Sequence, residues 1–262
     1  MQRSATDAAR LSPPGQRQAS GPRSPKRGDA LSSTLASGAL ARLVIDLAVH
    51  PEEAPHGREL QRRTGLTPRS LQTELARLEA LGIVQRRPEG RLVRYALNEG
   101  SPRWRALRAL VRELADPADV LRSALADISG VAAAFVFGSM ARGDFREDSD
   151  VDLFVLDDGV PEYLLARRTL DAGVLLRREV NVVQMAAEEL ARRVAAESGF
   201  IQDVLRGPKL WVGGHTGALD AVVGDARQWG YERPAEDQAA HCRSEAAEDH
   251  SDFNLSDLSQ VK

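Results

Sequence analysis

The chain has 262 residues, 42% of them hydrophobic and 28% charged, which excludes a collagen-like or wholly disordered protein. No apolar run reaches the ~18 residues that cross a bilayer, and no apolar signal core is visible at the N-terminus, so we expect a cytoplasmic protein without a membrane partner. The single cysteine, Cys242, excludes an internal disulfide framework and a cysteine-built zinc site.

The net charge of −3 is unevenly distributed. Residues 1–114 carry 20 basic and 11 acidic side chains, whereas residues 115–262 carry 15 and 27. This asymmetry favours two modules with different partners, the basic one being the candidate for nucleic acid. Charge alone does not exclude the alternative that these side chains only form solvent-exposed surfaces.

Composition also divides the chain. Residues 1–30 are rich in Ser, Pro, Gly, Gln and Arg, and the C-terminal segment is acidic and polar, so both are predicted to be disordered tails. A short amphipathic helix is predicted near 216–229. The predicted organisation is a basic tail (1–30), two folded domains (31–115 and 116–214) and an acidic tail (215–262).

The first domain is predicted to begin with three helices. An apolar pattern indicates a helix over 35–49, which Pro51 ends, and a short helix follows at 57–64. The next helix, 68–81, has an N-cap residue in Thr67 and a proline at its first position.

Two β-type runs at 83–87 and 91–97 follow, and the Pro-Glu-Gly between them has turn chemistry. A further helix is predicted over 102–114. Three helices and a hairpin within about 65 residues are typical of a winged helix-turn-helix, in which the second helix of the pair enters the major groove.

Arginine can pair bidentately with guanine and glutamine with adenine, and arginines on a hairpin can meet phosphate or a minor groove. The alternative is that these side chains only solubilise the domain or bind a protein. The candidate residues for double-stranded DNA are Thr67, Arg69, Ser70, Gln72, Thr73, Arg77, Arg86, Arg87, Arg91 and Arg94.

Residues 35–114 resemble the winged-helix domain of arsenical-resistance-type repressors. The resemblance implies a bacterial transcription regulator that is a homodimer, with helices 35–49 and 102–114 at the interface. Metal-sensing members carry cysteine pairs on the recognition helix, and this chain has none there, so metal sensing is not expected. The helix at 102–114 also carries an apolar stripe that predicts a dimer by itself: Trp104, Leu107, Val111 and Leu114.

The most specific pattern lies at 131–156. An apolar strand ends at Gly138-Ser139, and a ten-residue spacer leads to Asp150-Val151-Asp152 within a second apolar run. Because side chains alternate along a strand, the two carboxylates share one face. Such a pair needs a cation, and Mg²⁺ (or Mn²⁺) binds through carboxylates plus substrate phosphates.

The glycine and serine of this motif are suited to phosphate. Gly138 lets a phosphate approach the backbone, and Ser139 can donate its hydroxyl and amide groups. Arg142 and Lys209 are further candidate phosphate partners. These features predict a metal-dependent nucleotide site.

The motif resembles the DNA polymerase beta-type nucleotidyltransferase superfamily, above all its minimal members, over residues 119–214. The resemblance implies an α+β fold that transfers a nucleoside monophosphate from an NTP to a hydroxyl, and a third carboxylate on a neighbouring strand. The matching position is Asn181, an amide that cannot act as a base. Glu179 shares its strand parity and either reaches the site or is an exposed strand-end residue.

The sequence therefore predicts a two-domain α/β protein with disordered tails, in which a DNA-binding regulator carries a nucleotidyltransferase domain. The candidate catalytic residues are Asp150, Asp152 and Asn181, of which the two aspartates bind the metal. Two alternatives remain: a catalytically inactive nucleotide sensor, which Asn181 favours, and an antitoxin-like nucleotidyltransferase that modifies a partner protein.

Overall fold

The computed structural model describes residues 27–144, 146 and 149–224, and most of both predicted tails lies outside these residues. The helices are α1 (Arg27–Leu35), α2 (Gly38–Val49), α3 (Gly57–Thr64), α4 (Pro68–Ala80), α5 (Pro102–Leu114), α6 (Pro117–Leu125), α7 (Gly138–Arg142), α8 (Glu162–Leu176), α9 (Ala187–Ala195), α10 (Gly199–Arg206) and α11 (Thr216–Val223). The strands are β1 (Val84–Glu89), β2 (Leu92–Leu97), β3 (Val131–Phe137), β4 (Val151–Asp157), β5 (Val180–Ala186) and β6 (Leu210–Gly214).

The N-terminal half has the predicted order of helices followed by an antiparallel hairpin. The Thr67 hydroxyl accepts a hydrogen bond from the backbone N–H of Ser70 at 3.3 Å, which confirms the predicted cap of α4. In the hairpin, β1 pairs with β2 so that Val84 lies opposite Leu97. The helices at 57–64 and 102–114 also form where the sequence predicts them.

The helix predicted over 35–49 forms as α2, but it begins three residues later than predicted, because Leu35 ends the separate helix α1. The chain breaks at Ala36, which has φ +53°, and Ser37 then caps α2 by accepting from the Leu40 N–H at 3.0 Å. Helix α1 begins at Arg27, four residues inside the segment predicted to be a tail. It is held because Leu31 is fully buried in the core.

The C-terminal half is built on a four-stranded sheet of order β5-β4-β3-β6. Strand β4 is antiparallel to β3 and parallel to β5, with α8 as the crossover between them. One face packs on α9, α10 and α11, and there the rings of Phe135 and Phe154 stack at 5.1 Å. The other face, with Val136 and Val155, packs on α6 and α8. Helix α11 lies where an amphipathic helix is predicted.

One hydrophobic core runs through both halves. Helix α2 contacts α4 and α5 on one side and α6 and α8 on the other, and nine of its twelve residues are buried. The apolar stripe on α5 packs against α1 and α2 of the same chain, where Trp104 is 2% and Val111 0% exposed. The stripe is therefore not free for a second copy, and the expected homodimer depends on the resemblance alone.

Across the described ranges, no helix combines the length and apolar character needed to cross a bilayer. The longest of them, α8, has 15 residues.

Candidate functional site

The two candidate carboxylates lie at the start of the central strand β4. Asp150 immediately precedes the strand and is exposed, while Asp152 is its second residue and is partly buried. Asp152 lies between Phe137 of β3 and Asn181 of β5 in the sheet register. The end of β3, the Asp-x-Asp motif and the segment with Asn181 therefore meet at one end of the sheet.

Gly138 lies directly against this end of β4. Its φ of +71° is in the left-handed region that favours glycine, and a Cβ atom at this position would overlap Asp152 Oδ2. Helix α7 begins at Gly138, and its N-cap residue Phe137 provides no side-chain cap. The first N–H groups of a helix have no intrahelical acceptor, so Gly138 and Ser139 present donors beside the carboxylates.

Asn181 occupies the place beside Asp152 where the resembling family has its third carboxylate. Its amide Nδ2 donates to Asp150 Oδ2 at a long 3.5 Å, and its side chain is exposed. Its amide oxygen can serve as a neutral ligand, but the group cannot accept the proton of an attacking hydroxyl.

Glu179 and Arg142 have other surroundings. Glu179 immediately precedes β5 and borders a groove between α8 and β5. Val180 and Val182 also line this groove. These two valines alternate with Asn181 along β5, so they face the opposite side of the sheet from Asn181. Arg142 is exposed at the end of α7, where its Nε donates to Asp144 Oδ2 at 3.3 Å.

The loop before β4 is fixed by Arg178, which donates to the backbone oxygens of Ser149 at 2.6 Å and Arg146 at 3.1 Å. This contact holds the chain just before Asp150. An aromatic pair lies beside the site, because the rings of Phe137 and Phe200 meet edge to face at 6.1 Å and Phe200 is 48% exposed.

Lys209 lies at the same end of the sheet, next to the pair formed by Leu210 and Val136. Its ammonium donates to the carbonyl oxygens of Leu205 at 2.6 Å and Gly207 at 2.9 Å. Burial lowers the pKa of Lys209 to about 8. The side chain considered as a phosphate partner is thus already bonded to the backbone.

The donor set at the start of β4 fits a hard divalent cation. Two carboxylates and one amide oxygen are the ligand types that Mg²⁺ prefers, and the ion usually completes its shell with water and substrate phosphates. A second acidic group, formed by Glu53, Glu59 and Asp127, brings carboxylate oxygens within 4.8 Å of one another. Arg63 donates to Glu53 and Asp127, so a guanidinium already neutralises that group.

The candidate DNA-binding residues lie along α4 and the hairpin. Eight have exposed side chains: Thr67, Arg69, Gln72, Thr73, Arg77, Arg86, Arg87 and Arg91. Ser70 is partly buried, and Thr67 caps the helix. Arg94 forms an ion pair with Glu89 and donates to the Ala54 carbonyl at 3.0 Å, so it serves the structure of the domain.

Sequence reasoning missed a buried charge network between the two halves. Arg63 of α3 is 7% exposed and donates to three carboxylates: Asp46 at 3.0 Å, Glu53 at 2.5 Å and Asp127 at 3.2 Å. Asp127 follows α6, so this guanidinium links the N-terminal helices to the sheet domain. We call this group, with His50 and Arg168, the junction network.

His50 extends the junction network to α8. Arg168 donates to His50 Nδ1 at 2.7 Å and to Glu53 Oε1 at 2.8 Å. The other ring nitrogen lies 3.3 Å from the Ser123 carbonyl oxygen, which makes Nε2 the protonated nitrogen of a neutral ring. The available sequence signal was the presence of Asp46 and His50 in the segment 43–50, whose other residues are apolar.

Burial and neighbouring charges shift the pKa values of Asp46 and His50. Burial raises the pKa of Asp46 to about 7, although Arg63 acts in the opposite direction. Burial, Arg63 and Arg168 together lower the pKa of His50 to about 4. His50 is therefore neutral at physiological pH.

Comparison with known protein families supports the prediction that the sheet domain is nucleotidyltransferase-like. Residues 120–203 match the family described as "Polymerase beta, Nucleotidyltransferase". This part of the chain is thus a nucleotidyltransferase-like domain, as the sequence motif predicts. No curated protein matches the chain.

Several solved structures are similar to about half of this chain. One, titled "Crystal structure of the toxin-antitoxin with AMP-PNP", has 16% identity and a TM-score of 0.29, with 48% of this chain and 90% of that chain covered. Two mutant forms of the toxin-antitoxin MntA-HpeT have 14% and 18% identity and TM-scores of 0.33 and 0.28. The match to the first form covers 50% of this chain and 95% of that chain. The match to the second form covers 48% of this chain and 89% of that chain.

Proposed function

We propose that this chain binds a nucleoside triphosphate with Mg²⁺ and transfers its nucleoside monophosphate to a hydroxyl group of a partner protein. This is the antitoxin-like alternative that the sequence raises. The observation that carries it is the meeting of Asp150, Asp152 and the sterically required Gly138 at one end of β4.

Each residue has a definite task in this proposal. Asp150 and Asp152 hold the cation, while the backbone donors at Gly138 and Ser139 bind the β- and γ-phosphates. Bound Mg²⁺ neutralises charge on the triphosphate and on the leaving pyrophosphate. The acceptor oxygen forms a bond to the α-phosphorus as the bond to pyrophosphate breaks.

The hydroxyl proton of the acceptor must leave during this step, and Asn181 cannot take it. The proton therefore passes to water or to a basic group of the partner protein, and we expect slow turnover. If native turnover is absent, the same site acts as the nucleotide sensor that Asn181 favours.

A protein acceptor is supported by an exposed apolar surface on α8, on the face of the sheet opposite Asn181. Helix α8 exposes three large apolar side chains, Tyr163 at 77%, Leu170 at 66% and Val174 at 57%. Leu170 and Val174 line the groove beside β5, whose volume is about 890 Å³. Exposed apolar side chains grouped in this way mark surfaces that bind other proteins.

Incubation of the full chain with α-labelled NTPs, Mg²⁺ and cell lysate tests the proposal. We expect label on a protein band, its loss in Asp152→Asn, and stronger labelling in Asn181→Asp, which restores an anionic ligand. If Glu179 supplies the base, Glu179→Gln silences transfer and leaves binding intact. Absence of any melting-temperature rise with Mg²⁺ or Mn²⁺ and each of the four NTPs would refute both the enzyme and the sensor.

A second candidate function is binding of double-stranded DNA by the N-terminal half as a winged helix-turn-helix. The exposed side chains of Arg69 and Gln72 on the first turns of α4, and the exposed hairpin arginines, favour it. Binding should then weaken with salt at a log–log slope near −0.9 per phosphate contact.

Variants separate base reading from phosphate contact. Arg91→Gln should weaken all duplexes alike, whereas Gln72→Ala should relax base preference. A full chain without duplex affinity at low salt removes this function. Light scattering of the same sample tests the homodimer implied by the resemblance.

A further inference from the structure

A cavity of about 660 Å³ lies between the two halves of the molecule. Helices α2 and α3 form one wall, and α6 with β6 forms the other. This volume is in the range of sites for small organic ligands. The apolar part of the lining is formed by Ile45, Leu125, Ile128, Val131 and Val212.

Four arginines from three helices line the same cavity. Arg42 belongs to α2, Arg62 and Arg63 to α3, and Arg122 to α6. Among the described residues, Asp119 is the only acidic one in the lining. The wall therefore combines an apolar surface with an excess of positive charge, which suits an organic anion with a ring.

The arginines differ in how fully they are neutralised. Arg63 is committed to the three carboxylates of the junction network, and Arg62 pairs with Asp127 at 2.9 Å. Arg42 donates to the Thr64 carbonyl at 3.4 Å, and no carboxylate of the described residues forms an ion pair with it.

Arg122 is also available for exchange. It pairs with Asp119 and donates to the Trp211 carbonyl at 2.9 Å, and its side chain is 53% exposed. Exposed pairs of this kind contribute little to stability, so a phosphate can replace the carboxylate at small cost. Arg62 is similarly 58% exposed.

We propose that this cavity binds a nucleoside monophosphate, with its phosphate on Arg42, Arg62 and Arg122 and its base on the apolar lining. Arginine guanidinium groups bind phosphate bidentately, which favours this anion. The cavity is a partly open cleft that both halves border, so a small molecule fits it better than a duplex does.

This site is separate from the carboxylate site. The cavity borders Val131 at the start of β3, whereas Gly138 follows the end of the same strand. At ~3.3 Å per residue, the two ends of β3 are roughly 20 Å apart. The lining formed by the described residues has a single carboxylate, Asp119, so the proposal expects nucleotide binding without Mg²⁺.

Calorimetric titration of the full chain with AMP, GMP, CMP and UMP in EDTA tests the proposal. We expect saturable binding of at least one nucleotide, and much weaker binding of the parent nucleoside and of inorganic phosphate. Arg42→Gln and Arg122→Gln should each weaken that binding at least tenfold, with only a small change in the melting temperature. The control Arg167→Gln, an exposed arginine outside the cavity, should leave it unchanged.

Asp152→Asn should also leave this affinity unchanged, which separates the inference from the proposed transfer activity. The proposal fails if none of the four nucleotides binds up to millimolar concentration in EDTA. It also fails if Asp152→Asn abolishes binding while Arg42→Gln preserves it. If inorganic phosphate binds as tightly as the nucleotide, the cavity is an anion site without a place for the base, and the proposal is wrong. If Arg42→Gln loses duplex affinity but keeps nucleotide affinity, the arginines bind DNA and the proposal is also wrong.

Discussion

The junction network and the carboxylate site use the same types of side chain in opposite ways. In the junction network, Arg63 is buried and surrounded by carboxylates, so its charge is satisfied within the chain. At the carboxylate site, Asp150 is exposed, and its side-chain partner among the described residues is the neutral amide of Asn181.

This difference separates a structural arrangement from one suited to a ligand. Buried charges must be paired, because desolvation of an isolated ion is costly. Two neighbouring carboxylates at the surface keep their hydration and can exchange it for a cation. We therefore expect changes in the junction network to alter stability, and changes at the carboxylate site to alter ligand binding.

Arg63→Met gives the largest expected loss of stability. It leaves Asp46, Glu53 and Asp127 without their shared cation, and removal of one partner of a buried ion pair costs about 3–5 kcal/mol. Urea unfolding monitored by circular dichroism measures this loss. The control Arg62→Met, at an exposed neighbour, should cost less than about 1 kcal/mol. A similar small loss for both variants would contradict a structural role for the network.

His50→Asn should change how stability depends on pH. The folded-state pKa of about 4 lies below the usual 6.5, so the unfolded chain takes up a proton first as the pH falls. The stability that neutral His50 contributes is present above pH 6.5 and is lost as the pH falls towards 4. At about 1.4 kcal/mol per pKa unit, the difference between native and variant should change by about 3 kcal/mol over that interval.

Urea unfolding at a series of pH values from 7 to 4 checks this expectation. The raised pKa of Asp46 gives the opposite slope, since its contribution is lost as the pH rises towards 7, but both proteins contain Asp46. Parallel curves for the native chain and His50→Asn would show that His50 titrates normally.

Gly138→Ala should cost about 2 kcal/mol, because it combines a left-handed backbone with overlap at Asp152 Oδ2. Gly143→Ala is the matched control: φ is +82° there, but a Cβ atom meets nothing within 4 Å, so about 1 kcal/mol is expected. Chemical unfolding compares the two. Only Gly138→Ala should also reduce the melting-temperature rise produced by Mg²⁺ with NTP, and an equal reduction in both would contradict the close contact with Asp152.

Asp152→Asn should change the unfolding free energy least, by under about 1 kcal/mol, because the group is partly solvated. It should nevertheless abolish the joint melting-temperature rise with Mg²⁺ and NTP, which arises from ligand binding to the folded state. Differential scanning fluorimetry measures both effects. Asp144→Asn, an exposed change nearby, should retain the joint rise; if Asp152→Asn retains it too, the metal is held elsewhere.

Local sequence patterns predicted the elements that carry the candidate site. The two apolar runs that flank Gly138 and the Asp-x-Asp motif located β3 and β4, because apolar runs and turn chemistry are properties of short segments. The valine-framed Asn181 was placed on a neighbouring strand, and β5 pairs with β4 so that Asn181 adjoins Asp152.

Features that depend on distant residues could not be predicted in this way. His50 and Arg168 are 118 positions apart, so no local pattern connects them. No element was predicted over α8, and the break between α1 and α2 was missed because apolar spacing continues across Ala36. The cavity between the halves likewise exists only after α2, α3, α6 and β6 have packed.

The position of α2 between the two halves has a consequence for folding during synthesis. Helix α2 ends at Val49, but α6, which covers one of its sides, begins only at Pro117. At roughly 5–20 residues per second, the ribosome needs several seconds to add the intervening chain. Until then, apolar side chains of α2 remain in water next to Asp46 and His50, so the nascent chain passes through a stage in which it is exposed to chaperones and to aggregation.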